Sequence, residues 1–202
     1  WSAAIAIPVN RRRLLAAATL LGTMPMLPAF GSPDAQSGGV RLDVRPGPAS
    51  GLFPLRSEAG KRYLVDAAGR PFLIQGDAAW SLIARLSREQ ATDYLDDRRR
   101  KGFNAVLVNL IEHEFADAPP KNRYGEAPFL VSGDFGTPNE RYFSHADLVI
   151  GMAAERGILV MLAPAYMGFG GGSEGWYREM AANGAARMRA YGSYVARRFR
   201  HH

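Results

Sequence analysis

The sequence predicts an α/β fold in which helices cover a parallel β-sheet. From about residue 71 onward, apolar segments alternate with segments of helical periodicity, in the order strand, helix, strand, helix, strand, helix. The apolar segments are hydrophobic almost throughout, which is typical of strands that are buried on both faces of a parallel sheet. A doubly wound sheet and a (β/α)8 barrel both satisfy these observations.

The N-terminal part of the chain is predicted to lie outside this domain. Residues 1–31 have the pattern of an export signal, because Arg11–Arg13 precede an apolar segment that is interrupted at Pro25 and followed by small residues. The apolar segment is shorter than the roughly 20 residues of a membrane span, so we expect no stable span after cleavage. The arginines also fit a twin-arginine signal, which predicts a periplasmic or secreted protein. Residues 32–55 are rich in Pro, Gly and Ser and are predicted to form a linker.

Residues 56–202 contain the predicted elements of the domain. The segments "RYLVD" and "PFLIQGD", joined by "AAGR", predict a β-hairpin whose second strand is buried. The segment "SREQATDYLDDRRRKG" predicts a helix, because Ser87 and Gln90 fit a capping box and Gly102 fits a helix end. A buried strand, "NAVLVNLIE", follows.

The last three elements complete the alternation. The segment "SHADLVIGMAAERG" predicts a helix with Ser144 as its N-cap, and "ILVMLAPAY" predicts the next buried strand. The segment "WYREMAANGAARMRAYGSYVARRFR" predicts a helix with a break near Gly184.

Composition excludes several classes of function. The 202 residues contain no cysteine, which excludes disulfides and thiolate metal sites. The net charge is +6, but the arginine clusters fall at helix ends, where they complement the helix dipole, and no basic patch alternates with aromatic residues. We therefore expect no nucleic acid partner. No metal site is predicted either, because "EHE" around His113 lacks the usual spacings of zinc ligands.

The stretch "GFGGGSEGW" has glycines at the G-x-G-x-x-G spacing of dinucleotide-binding loops, so an NAD-dependent oxidoreductase is an alternative function. That fingerprint belongs to the first βα turn and requires an acidic residue about 20 residues later. Here the glycines follow at least the third strand, and no Asp or Glu occurs after Glu179. We therefore predict no cofactor and interpret the stretch as a mobile loop that carries aromatic residues.

Polar and aromatic residues follow each of the three predicted parallel strands. They are Asp77 and Trp80 after the first, Asn109, Glu112 and His113 after the second, and Tyr166 and Trp176 after the third. Both candidate folds bind ligands at the carboxyl ends of such strands. Aromatic rings beside carboxylates and amides suit a carbohydrate, because the rings stack on C–H patches while the polar groups bind hydroxyls. The structural alternatives are that Asp77 caps its own loop and that Trp176 anchors its helix.

Four segments resemble the apiosidase-like catalytic domain family of bacterial glycoside hydrolases. They are "PFLIQGDAAWSLIARLSREQATDYLDDRRRKGFNAVLVNL", "YGEAPF", "PNERYFSHADLVIGMAAERGILVMLAPAY" and "AYGSYVARRF". The ordered motifs "GD-x-x-W", "R-x-x-K-G-F-N" and "PNE-x-Y-F-x-H" carry the resemblance. It implies a (β/α)8 TIM barrel with a preceding β-hairpin, and a sugar site at the strand ends, formed by the seven residues that follow the strands.

The resemblance also implies a retaining glycosidase that acts on polysaccharide side chains. A barrel runs to about 250 residues, so residues 56–202 are expected to form a barrel truncated after about three βα units. In the family, one catalytic carboxylate follows the fourth strand and the other lies later. Both are therefore expected beyond residue 202, and the chain alone is expected to be inactive. A carbohydrate-binding pseudo-enzyme is the alternative.

Overall fold

The structure is a computed structural model that describes residues 51–200. The predicted export signal and residues 32–50 of the predicted linker lie outside the described residues. Among the described helices, none has both the length and the apolar character that a membrane span requires.

A small antiparallel sheet comes first in the chain. It consists of β1 (Arg56–Ser57), β2 (Leu64–Val65) and β3 (Pro71–Phe72), in the spatial order β1-β2-β3. The pairing of β2 with β3 confirms the predicted hairpin. Its turn is closed by Asp66, whose Oδ1 accepts hydrogen bonds of 2.9 Å from the N–H groups of Ala68 and Arg70.

The second predicted strand of the hairpin is in fact divided between two sheets. Its first part is β3, and its last part, β4 (Gly76–Ala78), belongs to the parallel sheet. Asn104 holds the intervening residues in place, because its Nδ2 donates to the carbonyl of Leu73 at 2.7 Å and its Oδ1 accepts from the N–H of Gln75 at 2.7 Å. The prediction of one continuous buried strand was therefore wrong.

The larger sheet consists of β4, β5 (Ala105–Asn109) and β6 (Leu159–Ala163), in that spatial order and with both pairs parallel. This confirms the predicted parallel sheet. Val106 and Val108 belong to one buried core cluster that also contains residues of all the helices. On the opposite face, Leu107 and Met161 lie side by side and are 38% and 44% exposed. Within residues 51–200, only one face of this sheet is covered by helices.

Residues 51–200 contain four helices, which follow the parallel strands: α1 (Leu82–Arg85), α2 (Arg88–Arg100), α3 (Glu140–Glu155) and α4 (Tyr177–Phe199). The capping box of α2 is present as predicted, and the break in α4 is confirmed by the non-helical backbone of Gly184, at φ 69° and ψ 169°. The predicted start of α3 at Ser144 was wrong. Asn139 is the N-cap instead, because its side chain accepts a hydrogen bond from the N–H of Arg141 at 3.1 Å.

Candidate functional site

Three aromatic side chains meet where the parallel strands end. Trp80 follows β4, Phe115 follows β5 and Tyr166 follows β6. The ring centroid of Trp80 lies 5.4 Å from that of Tyr166 and 6.2 Å from that of Phe115. Trp80 is 38% exposed and Phe115 is 45% exposed. These three side chains form a partly exposed surface, which we call the aromatic surface.

Two of its three members, Trp80 and Tyr166, were predicted from the sequence, and the structure brings them together. Phe115 was not predicted. Its position in the sequence could have indicated it, because Phe115 directly follows the "EHE" stretch at the end of a predicted strand.

A buried carboxylate joins the loops that carry Trp80 and Phe115. Glu112 is 1% exposed, and its Oε2 accepts hydrogen bonds of 3.2 Å from Ser81 Oγ and from Asn109 Nδ2. Its Oε1 accepts from the N–H of His113 at 3.0 Å. The single hydroxyl hydrogen of Ser81 is shared between Glu112 and the carbonyl oxygen of Phe115, which lies closer to Oγ, at 2.6 Å. Glu112 therefore holds the two loops together from within the protein.

The charge of Glu112 is compensated by hydrogen bonds alone, because no cation of residues 51–200 forms an ion pair with it. Uncharged donors can stabilise a buried carboxylate when they are fixed in place, and these donors belong to the backbone and to short side chains. Burial raises the pKa of the neighbouring Tyr142, and the negative charge of Glu112 contributes to this shift. The Tyr142 hydroxyl remains protonated and donates to the carbonyl of Leu110 at 3.0 Å.

His113 and Trp176 belong to a separate cluster at the start of α4. The two rings are perpendicular, with centroids 4.8 Å apart, and His113 Nε2 lies 3.3 Å from Glu179 Oε1. Trp176 is 3% exposed and packs edge-on against Phe129 and Phe135. Its position is the one expected of a helix anchor, which was the structural alternative for this residue.

The glycine-rich loop folds tightly on itself. A Cβ on Gly175 would overlap the backbone of Gly168, and a Cβ on Gly168 would lie 2.6 Å from the carbonyl oxygen of Gly172. The carboxylate of Glu174 accepts from the N–H of Phe169 at 2.6 Å. Hydrogen bonds from its own N–H and from that of Phe169 lower the pKa of Glu174. Close approach of the backbone to itself explains why glycines occupy these positions.

Asp77 lies on the face of β4 that is turned toward the helices, in register with the buried Val106. Its Oδ2 accepts from the Tyr94 hydroxyl at 2.8 Å and pairs with Arg98 Nη1 at 2.7 Å. The hydrogen bond from Tyr94, together with that from Arg98, lowers the pKa of Asp77, while burial and the bond to Asp77 raise the pKa of Tyr94 to about 12. Asp77 thus connects β4 to α2, and the structure does not bring it to the aromatic surface.

Among residues 51–200, no group of three or more His, Asp or Glu side chains is arranged to hold a metal ion.

The fold and the site define an α/β protein whose candidate ligand surface lies at the carboxyl ends of parallel strands. Residues 58–202 match the family model described as the apiosidase-like catalytic domain, and the chain belongs to this family. The match confirms the resemblance found in the sequence. No curated protein matches the chain.

Solved structures that are similar to the chain include two glycoside hydrolases. One is a glycoside hydrolase with 28% identity and a TM-score of 0.59, and the match covers 72% of this chain and 31% of that one. The other is a glycoside hydrolase family 5 protein from Bacteroides vulgatus, with 28% identity, a TM-score of 0.47, and coverage of 57% and 24%. The chain therefore spans about a third of the length of the first structure.

Proposed function

We propose that the protein is an exported glycoside hydrolase, of the retaining class, that acts on polysaccharide side chains. Family membership and the similarity to a solved glycoside hydrolase support the type of reaction. The observation that carries the proposal for this chain is the aromatic surface. A sugar ring offers C–H patches to such a surface, and the exposed faces of Trp80 and Phe115 are open to it.

The proposed architecture is a (β/α)8 barrel, to which residues 56–202 contribute about three βα units. Three parallel strands that are adjacent in chain order, with their helices on one face, are consistent with this fold. In a barrel, the face that carries Leu107 and Met161 is turned inward and is covered by side chains of the other strands. A doubly wound sheet places helices on both faces instead.

The catalytic pair is proposed to lie beyond residue 202, where two carboxylates about 5–5.5 Å apart would serve a retaining mechanism. Three acids at or near the carboxyl ends of the described strands are held by donors of the protein itself: Asp77 by Tyr94 and Arg98, Glu112 by Ser81 and Asn109, and Glu174 by the N–H of Phe169. These contacts support structural roles for the three acids. We accordingly expect the chain alone to lack glycosidase activity.

Export is proposed on the sequence of residues 1–31. Arg11–Arg13 ahead of a short apolar segment fit a cleaved signal that directs the protein to the periplasm or the medium, by the twin-arginine route.

Replacing Trp80 in the full-length protein tests the proposed function. Trp80→Ala is expected to raise KM for the polysaccharide about tenfold, because a lost aromatic contact is worth up to about 1.5 kcal/mol, and to change kcat less. Tyr63→Ala is a matched control, since Tyr63 is 44% exposed but lies beside β2. Equal effects of the two replacements would contradict the assignment of the aromatic surface. Sugar binding without any hydrolysis would favour the carbohydrate-binding pseudo-enzyme.

A further inference from the structure

A cavity of about 170 Å³, to which several charged and polar residues contribute, lies between the end of α1 and the loop that follows β5. We propose that this cavity binds an oxyanion, namely a carboxylate, sulfate or phosphate group. Both walls of the cavity come from segments that follow parallel strands, as the members of the aromatic surface do. The proposal rests on the charges that line the cavity and on one buried amide.

The cavity lining has more positive than negative charge. Arg85, Lys121 and Arg123 face a single acid, Asp117. Asp117 Oδ1 lies 3.0 Å from Arg85 Nε, and Asp117 Oδ2 lies 3.8 Å from Arg123 Nη1. Because these side chains are about half exposed, the pairs add little stability, but they keep two guanidinium groups at the cavity. Such groups match the geometry of carboxylate and phosphate oxygens.

Lys121 supplies the third positive charge and is not neutralised by the protein, since it forms no ion pair within residues 51–200. With three cations and one acid, the lining retains a positive charge that a bound anion would balance. An ammonium group adds a flexible donor to the two planar guanidinium groups.

Asn122 supplies a donor that is fixed in direction. The side chain is 3% exposed, and its Oδ1 accepts from the N–H groups of Tyr124 at 3.0 Å and Glu126 at 3.1 Å. These two bonds settle which atom of the amide is the oxygen. The remaining atom, Nδ2, is buried and has no hydrogen-bond partner among the described residues. A buried donor without an acceptor is unfavourable, and an oxygen of a bound anion would satisfy it.

The bound group has two possible sources, a free inorganic anion or an acidic sugar of a glycan. The chemistry of the cavity is the same for both. An inorganic anion is independent of the proposed hydrolase activity, whereas an acidic sugar would extend the ligand site beyond the aromatic surface.

The test is an NMR titration of the full-length protein labelled with ¹⁵N-asparagine, with the side-chain amide of Asn122 as the probe. Sodium sulfate, sodium glucuronate and glucose are added separately at constant ionic strength. We expect sulfate, glucuronate or both to shift the Asn122 signal and glucose to leave it unchanged. The anion with the lower Kd in this titration identifies the source: glucuronate indicates an acidic sugar, and sulfate indicates the free anion.

Two variants and one control complete the experiment. Asn122→Asp removes the side-chain amide signal and thereby assigns it. The variant keeps an oxygen acceptor for the turn but replaces the Nδ2 donor with a negatively charged group. Calorimetry of this variant should therefore show no anion binding. Lys121→Gln should raise the Kd about tenfold, whereas Lys61→Gln, outside the cavity, should not change it. The proposal is overturned if no anion shifts the signal, if glucose shifts it equally, or if Lys121→Gln binds as the wild type does. None of these results bears on the Trp80 test, so the two proposals fail separately.

Discussion

At the scale of single residues, the structure separates acids that share a sequence context. Asp77 and Glu112 were both predicted to follow parallel strands and to bind substrate. Glu112 does follow β5, but Asp77 is the middle residue of β4, so its predicted position after the strand was wrong. Asp77 is turned toward α2, whereas Glu112 is buried among donors from the two loops that carry Trp80 and Phe115. Sequence indicates that a carboxylate lies at a strand end, but the face it occupies depends on register, which only the assembled sheet determines.

Replacing Glu112 distinguishes a positioning role from direct substrate contact. In Glu112→Gln, one oxygen becomes an NH2 group that cannot accept from Ser81 or Asn109, so the free energy of unfolding should fall by about 1–3 kcal/mol. Glu114→Gln, at an exposed neighbouring position, should leave it unchanged. Urea unfolding of the two variants measures the difference. An unchanged stability with a large loss of kcat/KM would show that Glu112 contacts substrate directly.

Replacing Asp77 tests the connection between β4 and α2. Asp77→Asn should lower the free energy of unfolding by about 1–2 kcal/mol at neutral pH, because Arg98 loses one of its two charged partners and keeps only Asp97. The folded-state pKa of Asp77 is depressed, so its stabilising effect is complete above the unfolded pKa of about 3.9 and is lost as the pH falls through the folded-state pKa. The difference between wild type and variant should therefore shrink below about pH 4.

Urea unfolding of both proteins at neutral and acidic pH checks this dependence on Asp77. Asp93→Asn is the control, because Asp93 is exposed on the same helix as Arg98. A stability difference that is the same at all pH values would contradict the role assigned to the Asp77 charge.

At the scale of elements, the sequence predicted those features that depend on local pattern. The strands β5 and β6 were found because they are continuously apolar, and α2 because its capping box is local. The division between β3 and β4 was missed, since it depends on Asn104, about 30 residues further along the chain. In the same way, Trp80 and Tyr166 could be predicted as strand-end residues, but their contact with each other could not.

The glycine-rich loop provides a test at this scale. Gly175→Ala should lower the free energy of unfolding by about 1–3 kcal/mol, because the added methyl group would overlap the backbone of Gly168 and displace the loop. Gly192→Ala is the matched control. Gly192 lies within α4 with open space around it, so alanine there should stabilise the helix by about 0.5–1 kcal/mol. Urea unfolding measures both changes, and a Gly175→Ala protein as stable as wild type would contradict the observed loop packing.

At the scale of the whole molecule, one face of the parallel sheet carries the core and the other carries the exposed Leu107 and Met161. The aromatic surface lies at the end of this sheet where the strands finish. If the sheet continues into a barrel, this surface lies at the rim of the barrel mouth, where enzymes of this architecture bind their substrates. Family membership and the position of the surface therefore lead to the same proposal, a sugar site to which this chain contributes the aromatic part.

The central claim is that the aromatic surface holds the sugar, and a crystal structure of the full-length protein with the sugar it releases tests it most directly. We expect one face of the sugar ring to stack on Trp80, at a van der Waals separation of about 3.5–4 Å, with Tyr166 and Phe115 at its edges. A sugar that is bound elsewhere, with Trp80, Phe115 and Tyr166 left in contact with solvent, would contradict the claim.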